Sequence, residues 1–289
     1  MESVMEFYFT YKGKNSKDFG VTARTKSRSL LPETKRYTYD TPLMDGSYDF
    51  TEANRFKRPF YKDRVHDMTL RITADGLDEL GIKAAKIAAW LTGAGELTFS
   101  DTELTIWDAR VASDVAYTPE RYGKTAELSV MFQSSAIGRA SFTTGEGICL
   151  GDAVRLDSDI PLDMSAYFEK QLTHGENTVE FINLGDFYVR PVLEFGSGAQ
   201  NITVTYGDSK IMLEGLTDGA VIDLEKCNVT DNSGNSILSK MQGNFFELPP
   251  GRSTLEIYVD APCALTIDYA PRTIYDFDFS SIDWGETGA

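Results

Sequence analysis

Apolar residues alternate with polar ones over most of this chain. Phe7, Phe9 and Tyr11 are separated by single residues before a Gly13-Lys14-Asn15-Ser16 turn. Met68, Leu70 and Ile72 alternate within Met68–Thr73, and Ala126, Leu128, Val130 and Phe132 do so over Ala126–Phe132. A period of two places one set of side chains on one face, as in a half-buried strand. Leu97–Phe99 and Leu104–Val111 read the same way. Val21–Leu31 is extended and basic, with Arg24, Lys26 and Arg28, and it stops at Pro32.

The stretch Arg36–Phe50 has a different character. Tyr37 and Tyr39 alternate in one run and Tyr48 and Phe50 in another, with Pro42 and Asp45-Gly46 between them. Those intervening residues supply the chemistry of a chain reversal, so the segment reads as a hairpin. Lys35 and Arg36 precede it and Arg55, Lys57 and Arg58 follow. An aromatic ribbon among cations is awkward as isolated core and is expected to pack on a neighbour, through Arg36, Tyr37, Tyr39, Tyr48 and Phe50.

The helical period occurs once, in Asp75–Leu91. Leu77, Leu80, Ala84, Ile87, Ala88 and Leu91 fall on one helical face. Asp75 is placed to cap the start and Gly93 to supply a left-handed stop. A single helix suits the covering of one face of a sheet. The small, polar, Gly-bearing run Ser134–Gly147 marks a domain boundary.

Beyond it the pattern is β throughout. The expected strands are Thr178–Asn183, Tyr188–Phe195, Asn201–Tyr206, Lys210–Leu213, Ala220–Asp223, Phe245–Leu248, Thr254–Val259 and Ala264–Tyr269. Turn residues such as Gly207-Asp208, Asp218-Gly219 and Pro249-Pro250-Gly251 separate them. Short strands at this spacing predict a β-sandwich or jelly roll. The end of the chain alternates Tyr275, Phe277 and Phe279 with acids. It is expected to close the second sandwich as an added strand, with docking to another protein as the alternative.

Charge divides the chain at the same place. Residues 1–140 hold 20 Lys/Arg and 20 Asp/Glu, whereas residues 141–289 hold 8 and 24, so the whole net charge of −16 lies in the second half. An acidic second half repels a phosphate backbone, which argues against nucleic acid as its partner. No run approaches the roughly 18 apolar residues that span a bilayer. The acidic start, without an apolar core, is not expected to be a signal peptide. Cys149, Cys227 and Cys263 are far apart and fit no zinc spacing, so buried free thiols are expected.

Candidate chemistry is sparse. His66 and His174 are the two histidines, and neither accompanies a nucleophile motif. Both are expected at the surface, His66 beside a strand edge and His174 in a turn. Asp157, Asp159 and Asp163 lack the glycine and glutamate of a calcium loop. No phosphate-cradling glycine loop occurs. Neither cofactor nor metal is expected, and the chain reads as a non-enzyme. A sugar-binding sandwich is the rival reading, with Tyr188, Tyr206 and Tyr258 as stacking rings, because Trp284 is the single tryptophan of the second half.

An ordered set of motifs narrows these readings. In the first half it comprises Lys17-Asp18-Phe19-Gly20-Val21, Arg36-Tyr37, Met44-Asp45-Gly46-Ser47-Tyr48, Ala89-Trp90-Leu91 and Leu97-Thr98-Phe99-Ser100-Asp101. In the second it comprises Ile182-Asn183-Leu184-Gly185, Arg190-Pro191-Val192-Leu193-Glu194-Phe195-Gly196, Val221-Ile222-Asp223-Leu224-Glu225 and Leu248-Pro249-Pro250-Gly251. Taken in this order, the chain resembles the distal tail protein (Dit) family of long-tailed, siphovirus-type bacteriophages. The resemblance implies a mainly β fold, with an N-terminal β-sandwich carrying one α-helix and a projecting hairpin, then a C-terminal galectin-like β-sandwich. The corresponding domains are residues 1–138, 139–272 and a tail, 273–289. It also implies a structural role in the virion, made in the host cytoplasm. There a homo-hexameric ring would join the tail tube protein to tail-tip, receptor-binding or baseplate proteins. The alternative is a carbohydrate-binding β-sandwich module of a tail fibre or adhesin.

Overall fold

The computed structural model describes residues 7–43, 45–120, 124–145 and 167–277. The chain forms two compact units, residues 1–138 with 274–276, and residues 139–273 with 277–289.

In the first unit the spatial strand order is Lys14–Asn15, Phe9–Tyr11, Ala94–Phe99, Thr102–Val111, Thr125–Ser134, Arg64–Thr73 and Val21–Arg28. Thr102–Val111 pairs with Thr125–Ser134 only between Ala109–Val111 and Phe132–Ser134. The sheet turns a corner at that short join, so its two halves face each other as the layers of a sandwich. Rings meet across the gap, with Phe132 at 5.7 Å from Phe9 and 5.2 Å from Tyr11. The alternation read from sequence sets the inward rows, because Val130 lies opposite Met68, Leu128 opposite Leu70 and Ala126 opposite Ile72. All six are buried.

The helix spans Leu77–Leu91 and buries Leu80, Ala84, Ile87, Trp90 and Leu91. Trp90 stacks on Phe19 at 4.4 Å and on Phe9 at 5.5 Å, and its indole N–H donates to the Tyr11 carbonyl at 3.0 Å. Each such side chain contributes about 1.5–3 kcal/mol by leaving water. The start differs from expectation. Gly76, not Asp75, is the N-cap and gives no side-chain cap, while Asp75 donates its amide to Glu79 at 3.2 Å. Leu77 consequently sits at the helix mouth and is 60% exposed. Gly93 has φ 87°, as a left-handed stop requires.

His66 is buried, contrary to the surface position expected for it. The strand begins at Arg64 rather than Met68, so the inward alternation runs back through His66 to Arg64. Charged and polar residues masked that continuation in the sequence. The strand Ala116–Pro119 was not expected either, because all four of its residues are exposed and carry no alternation.

The second unit contains two five-stranded antiparallel sheets. One runs Glu169–Leu172, Cys263–Asp268, Val192–Phe195, Ala220–Asp223, Asn228–Thr230. The other runs Gly175–Asn183, Gly251–Val259, Ile202–Tyr206, Ser209–Leu213, Met241–Gly243. Leu193, Phe195, Ile222 and Ile267 of the first and Phe181, Val204, Ile211 and Leu255 of the second are almost wholly buried. Tyr269 packs 5.1 Å from Phe181, donates its hydroxyl to the Ile182 carbonyl at 2.6 Å and accepts the Leu184 amide at 3.0 Å. Burial pushes that phenol far above its ordinary range. Phe245–Leu248 is not a strand, since only Leu248 pairs, with Val189. Cys263 is buried as expected, but Cys227 is exposed on a turn with φ 50°. Cys149, Asp157, Asp159, Asp163, Phe279 and Trp284 lie outside the described residues.

Candidate functional site: an aromatic arm

Val21–Arg28 and Arg64–Thr73 are neighbours in the sheet, with Arg28 opposite His66. The residues between them leave the sheet and return to the same place, so they form an arm. Thr34 bridges Tyr61, Lys35 N–H donates to the Phe60 carbonyl at 2.7 Å, and Lys62 N–H donates to the Glu33 carbonyl at 2.7 Å. Farther out, Thr38–Asp40 pairs with Ser47–Asp49 as a separate two-stranded sheet. Leu43 and Gly46 in its turn have φ 68° and 80°. Glycine takes the second at no steric cost, whereas Leu43 is strained there.

The register brings the four expected aromatics together. Tyr39 lies directly opposite Tyr48, and the Phe50 amide donates to the Tyr37 carbonyl at 2.7 Å. Cross-strand partners share a face, as do alternate residues of one strand. Tyr37, Tyr39, Tyr48 and Phe50 therefore form a two-by-two grid on one face of the ribbon. Thr38 and Asp49 stand on the other. The grid is open to solvent, each ring being between 51% and 64% exposed. Leu30, Leu31 and Leu43 are exposed as well, so seven of the fourteen exposed large apolar side chains among the described residues lie in 30–50. A patch so concentrated marks an interaction surface, where scattered exposed residues would not. Arg36 is exposed beside it. Hydrogen bonds from the Thr51 hydroxyl and amide hold the Asp49 carboxyl below the ordinary carboxylate range, with Arg36 adding to the effect.

Two arginines fix the root of the arm. Arg64 is buried, and its guanidinium donates to the carbonyls of Ala136 at 2.6 Å, Ser29 at 2.8 Å, Leu30 at 3.0 Å and Ile274. It also lies 4.7 Å from the Trp107 ring. Arg28 pairs with Asp101 at 2.8 Å, covers Phe99 at 4.3 Å and donates to the Tyr275 hydroxyl. Thr105 donates to Asp276 at 3.2 Å. Ile274–Asp276 thus joins the first unit, which neither expectation for the alternating tail foresaw. The backbone and the phenol, rather than the aromatic spacing, are what the arginines engage.

The remaining candidates do not assemble a catalytic centre. His66 accepts or donates through Nε2 to Ser134 Oγ at 2.9 Å, deep between Phe99 and Trp107. Burial, with Arg28 and Arg64 nearby, lowers its pKa to about 4. That pair is sealed from solvent and from any substrate. His174 is exposed, as expected. Among the described residues no three His, Cys, Asp or Glu side chains are grouped to hold a metal, and no helix is long and apolar enough to cross a membrane. Tyr258 is 42% exposed, Tyr206 packs 5.6 Å from Phe246, and Tyr188 sits edge-on to Phe187 at 5.9 Å.

No family model matches the chain, and no curated protein does. Among solved structures the chain is similar to the SPP1 Dit (gp 19.1) protein, a hub adsorption apparatus of Gram-positive-infecting phages. The TM-score is 0.65 at 12% identity, covering 92% of this chain and 98% of that one. The phage P2 baseplate in its calcium-activated conformation also matches, at TM-score 0.38 and 10% identity over 91% of this chain and 97% of that one. The first of these likenesses places 92% of the chain in the Dit fold; the second is too weak to add to it.

Proposed function

We propose that the protein is a non-enzymatic structural subunit of a bacteriophage tail tip. In this reading it is a component of the virion, synthesised in the bacterial host cytoplasm. Copies form a hexameric ring hub that joins the tail tube to the baseplate or receptor-binding apparatus. The observation that carries the proposal is the likeness to SPP1 Dit, because it runs through both units and nearly the full length of each chain.

The physical argument for self-association is the aromatic arm. Its occupant is a second copy of this chain. One arm laid repeatedly on the next subunit is a heterologous contact, which closes into a ring when the rotation per copy divides the circle. Burying each ring of the grid contributes up to about 1.5–3 kcal/mol. Residues 1–138 supply the ring. The domain of residues 139–272 faces outward, where its negative charges are separated by more than the Debye length of about 8 Å at physiological salt. Tail tube protein and tail-tip proteins are the remaining partners.

Antibody against the chain tests the location. On intact phage particles that contain it, label is expected at the far end of the tail. Label along the tail shaft, on the capsid or on no particle would refute the assignment.

A further inference from the structure

The outer face of the second sandwich carries a feature independent of the ring. The pairing aligns two cross-strand rows on the sheet of Gly175–Asn183, Gly251–Val259, Ile202–Tyr206 and Ser209–Leu213. Glu176, Tyr258 and Thr203 are opposite one another in one row. Thr178, Glu256, Thr205 and Lys210 are opposite one another in the next. Each of these residues points away from the core, since their neighbours Val204, Ile211, Leu255 and Ile257 are the buried ones. Together they line an open depression of about 450 Å³. That is within the range of small-ligand sites.

The hydrogen-bonding capacity of this depression is unspent. Among the described residues, Glu176, Glu256, Lys210, Thr203, Thr205 and the Tyr258 hydroxyl form no side-chain hydrogen bond or ion pair. Two carboxylates offer paired acceptors, the ammonium offers donors, and the hydroxyls offer both. Beside them stands a half-exposed phenol ring. An anion site would not set two carboxylates around the ligand, and a cation site would not include a free lysine. A ligand with many hydroxyls, each both donor and acceptor, and an apolar C–H face to lie on a ring satisfies the whole set.

We propose that this depression is a saccharide site, taking a neutral pyranose ring stacked on Tyr258 with its hydroxyls held by Glu176, Glu256 and Lys210. The site gives the protein a direct hold on a carbohydrate surface, separate from its assembly role.

Saturation-transfer NMR on the full chain tests it, using the methyl glycosides of glucose, galactose, mannose, rhamnose and N-acetylglucosamine at millimolar concentration. At least one glycoside is expected to receive saturation, strongest at its ring C–H protons. Tyr258→Ala should abolish the signal, and Glu256→Gln should weaken affinity about tenfold, the cost of a charged hydrogen bond. Glu180→Gln, on the same sheet face outside the depression, should leave it unchanged. All three changes are at exposed positions, and circular dichroism confirms the fold. Saturation of no glycoside would overturn the proposal. So would binding that survives Tyr258→Ala, or displacement of the sugar by a lysine-rich peptide at lower concentration than by any glycoside. Failure of the ring would leave these outcomes untouched.

Discussion

Replacing Arg64 by methionine tests how the arm is held on the sandwich. Methionine keeps the length and apolar stem of the side chain but removes every donor. In the native protein the guanidinium serves carbonyls of Ser29, Leu30, Ala136 and Ile274, which belong to three separate segments. Hydrogen bonds to a charged group are worth about 1.5–3 kcal/mol each, and they do not add when they share one donor group. The substitution leaves neutral carbonyls without their donor, at about 1–3 kcal/mol for each buried group left unsatisfied, so the first unit is expected to lose about 3–5 kcal/mol in all. At about 2–4 °C per kcal/mol for a domain of this size, its melting transition should fall by about 10 °C. Scanning calorimetry that resolves the two units is the assay, because a two-unit chain need not melt in one step. Arg64→Lys should recover part of the loss, since an ammonium reaches fewer of the four carbonyls. Protection of the Leu30 and Leu31 amides from hydrogen exchange should drop in parallel. A fall of less than about 2 °C in Arg64→Met, at most about 1 kcal/mol, would refute the reasoning.

Other outcomes follow from the same geometry. His66 is neutral in the folded protein, with a pKa of about 4 against an ordinary 6.5. The unfolded chain therefore takes up a proton first as pH falls, so stability is complete above pH 6.5 and declines between there and pH 4, by about 3 kcal/mol. His66→Gln should flatten that stretch of the stability curve in urea titrations; an unchanged slope would contradict it. Gly185→Ala places a Cβ 2.1 Å from the Arg272 carbonyl oxygen, so the second unit should lose about 1–3 kcal/mol while the first melts as before. Tyr39→Ser with Tyr48→Ser removes two exposed rings and should change monomer stability by no more than about 0.5 kcal/mol, measured by thermal melting at low protein concentration.

What the sequence revealed depended on which interaction set each element. Strands with one buried face were legible, because Met68, Leu70 and Ile72 or Ala126, Leu128, Val130 and Phe132 repeat the period of the sheet. A strand held only by edge pairing was not, as Ala116–Pro119 shows, and Asn228–Thr230 with the single buried residue Val229 is too short to display a period. The arm's aromatic residues were legible as a hairpin, yet their gathering onto one face depends on the Tyr39–Tyr48 register, which alternation within each run leaves open. Arg64 and His66 were missed because a charge and an imidazole normally mark a surface. Here the carbonyls of three distant segments engage Arg64, and the Ser134 hydroxyl engages Nε2 of His66, whose Nδ1 is buried without a partner. The glycines divide in a similar way. Gly20, Gly46 and Gly251 have φ of 57°, 80° and 79° and serve turns, whereas Gly185 is required by the approach of the Arg272 backbone. The return of Ile274–Asp276 to the first unit left no trace in the local pattern, since its partners Arg28, Arg64 and Thr105 lie far away along the chain.

The central claim is that copies of this chain close into a ring through the aromatic arm. Native mass spectrometry of the full chain, with class averages of the same sample by electron microscopy, addresses it directly. The account predicts a discrete hexamer that images as a six-fold ring, and conversion to monomer in the Tyr39→Ser, Tyr48→Ser variant. A chain that stays monomeric at high concentration, or a hexamer that persists when both tyrosines are removed, would contradict it.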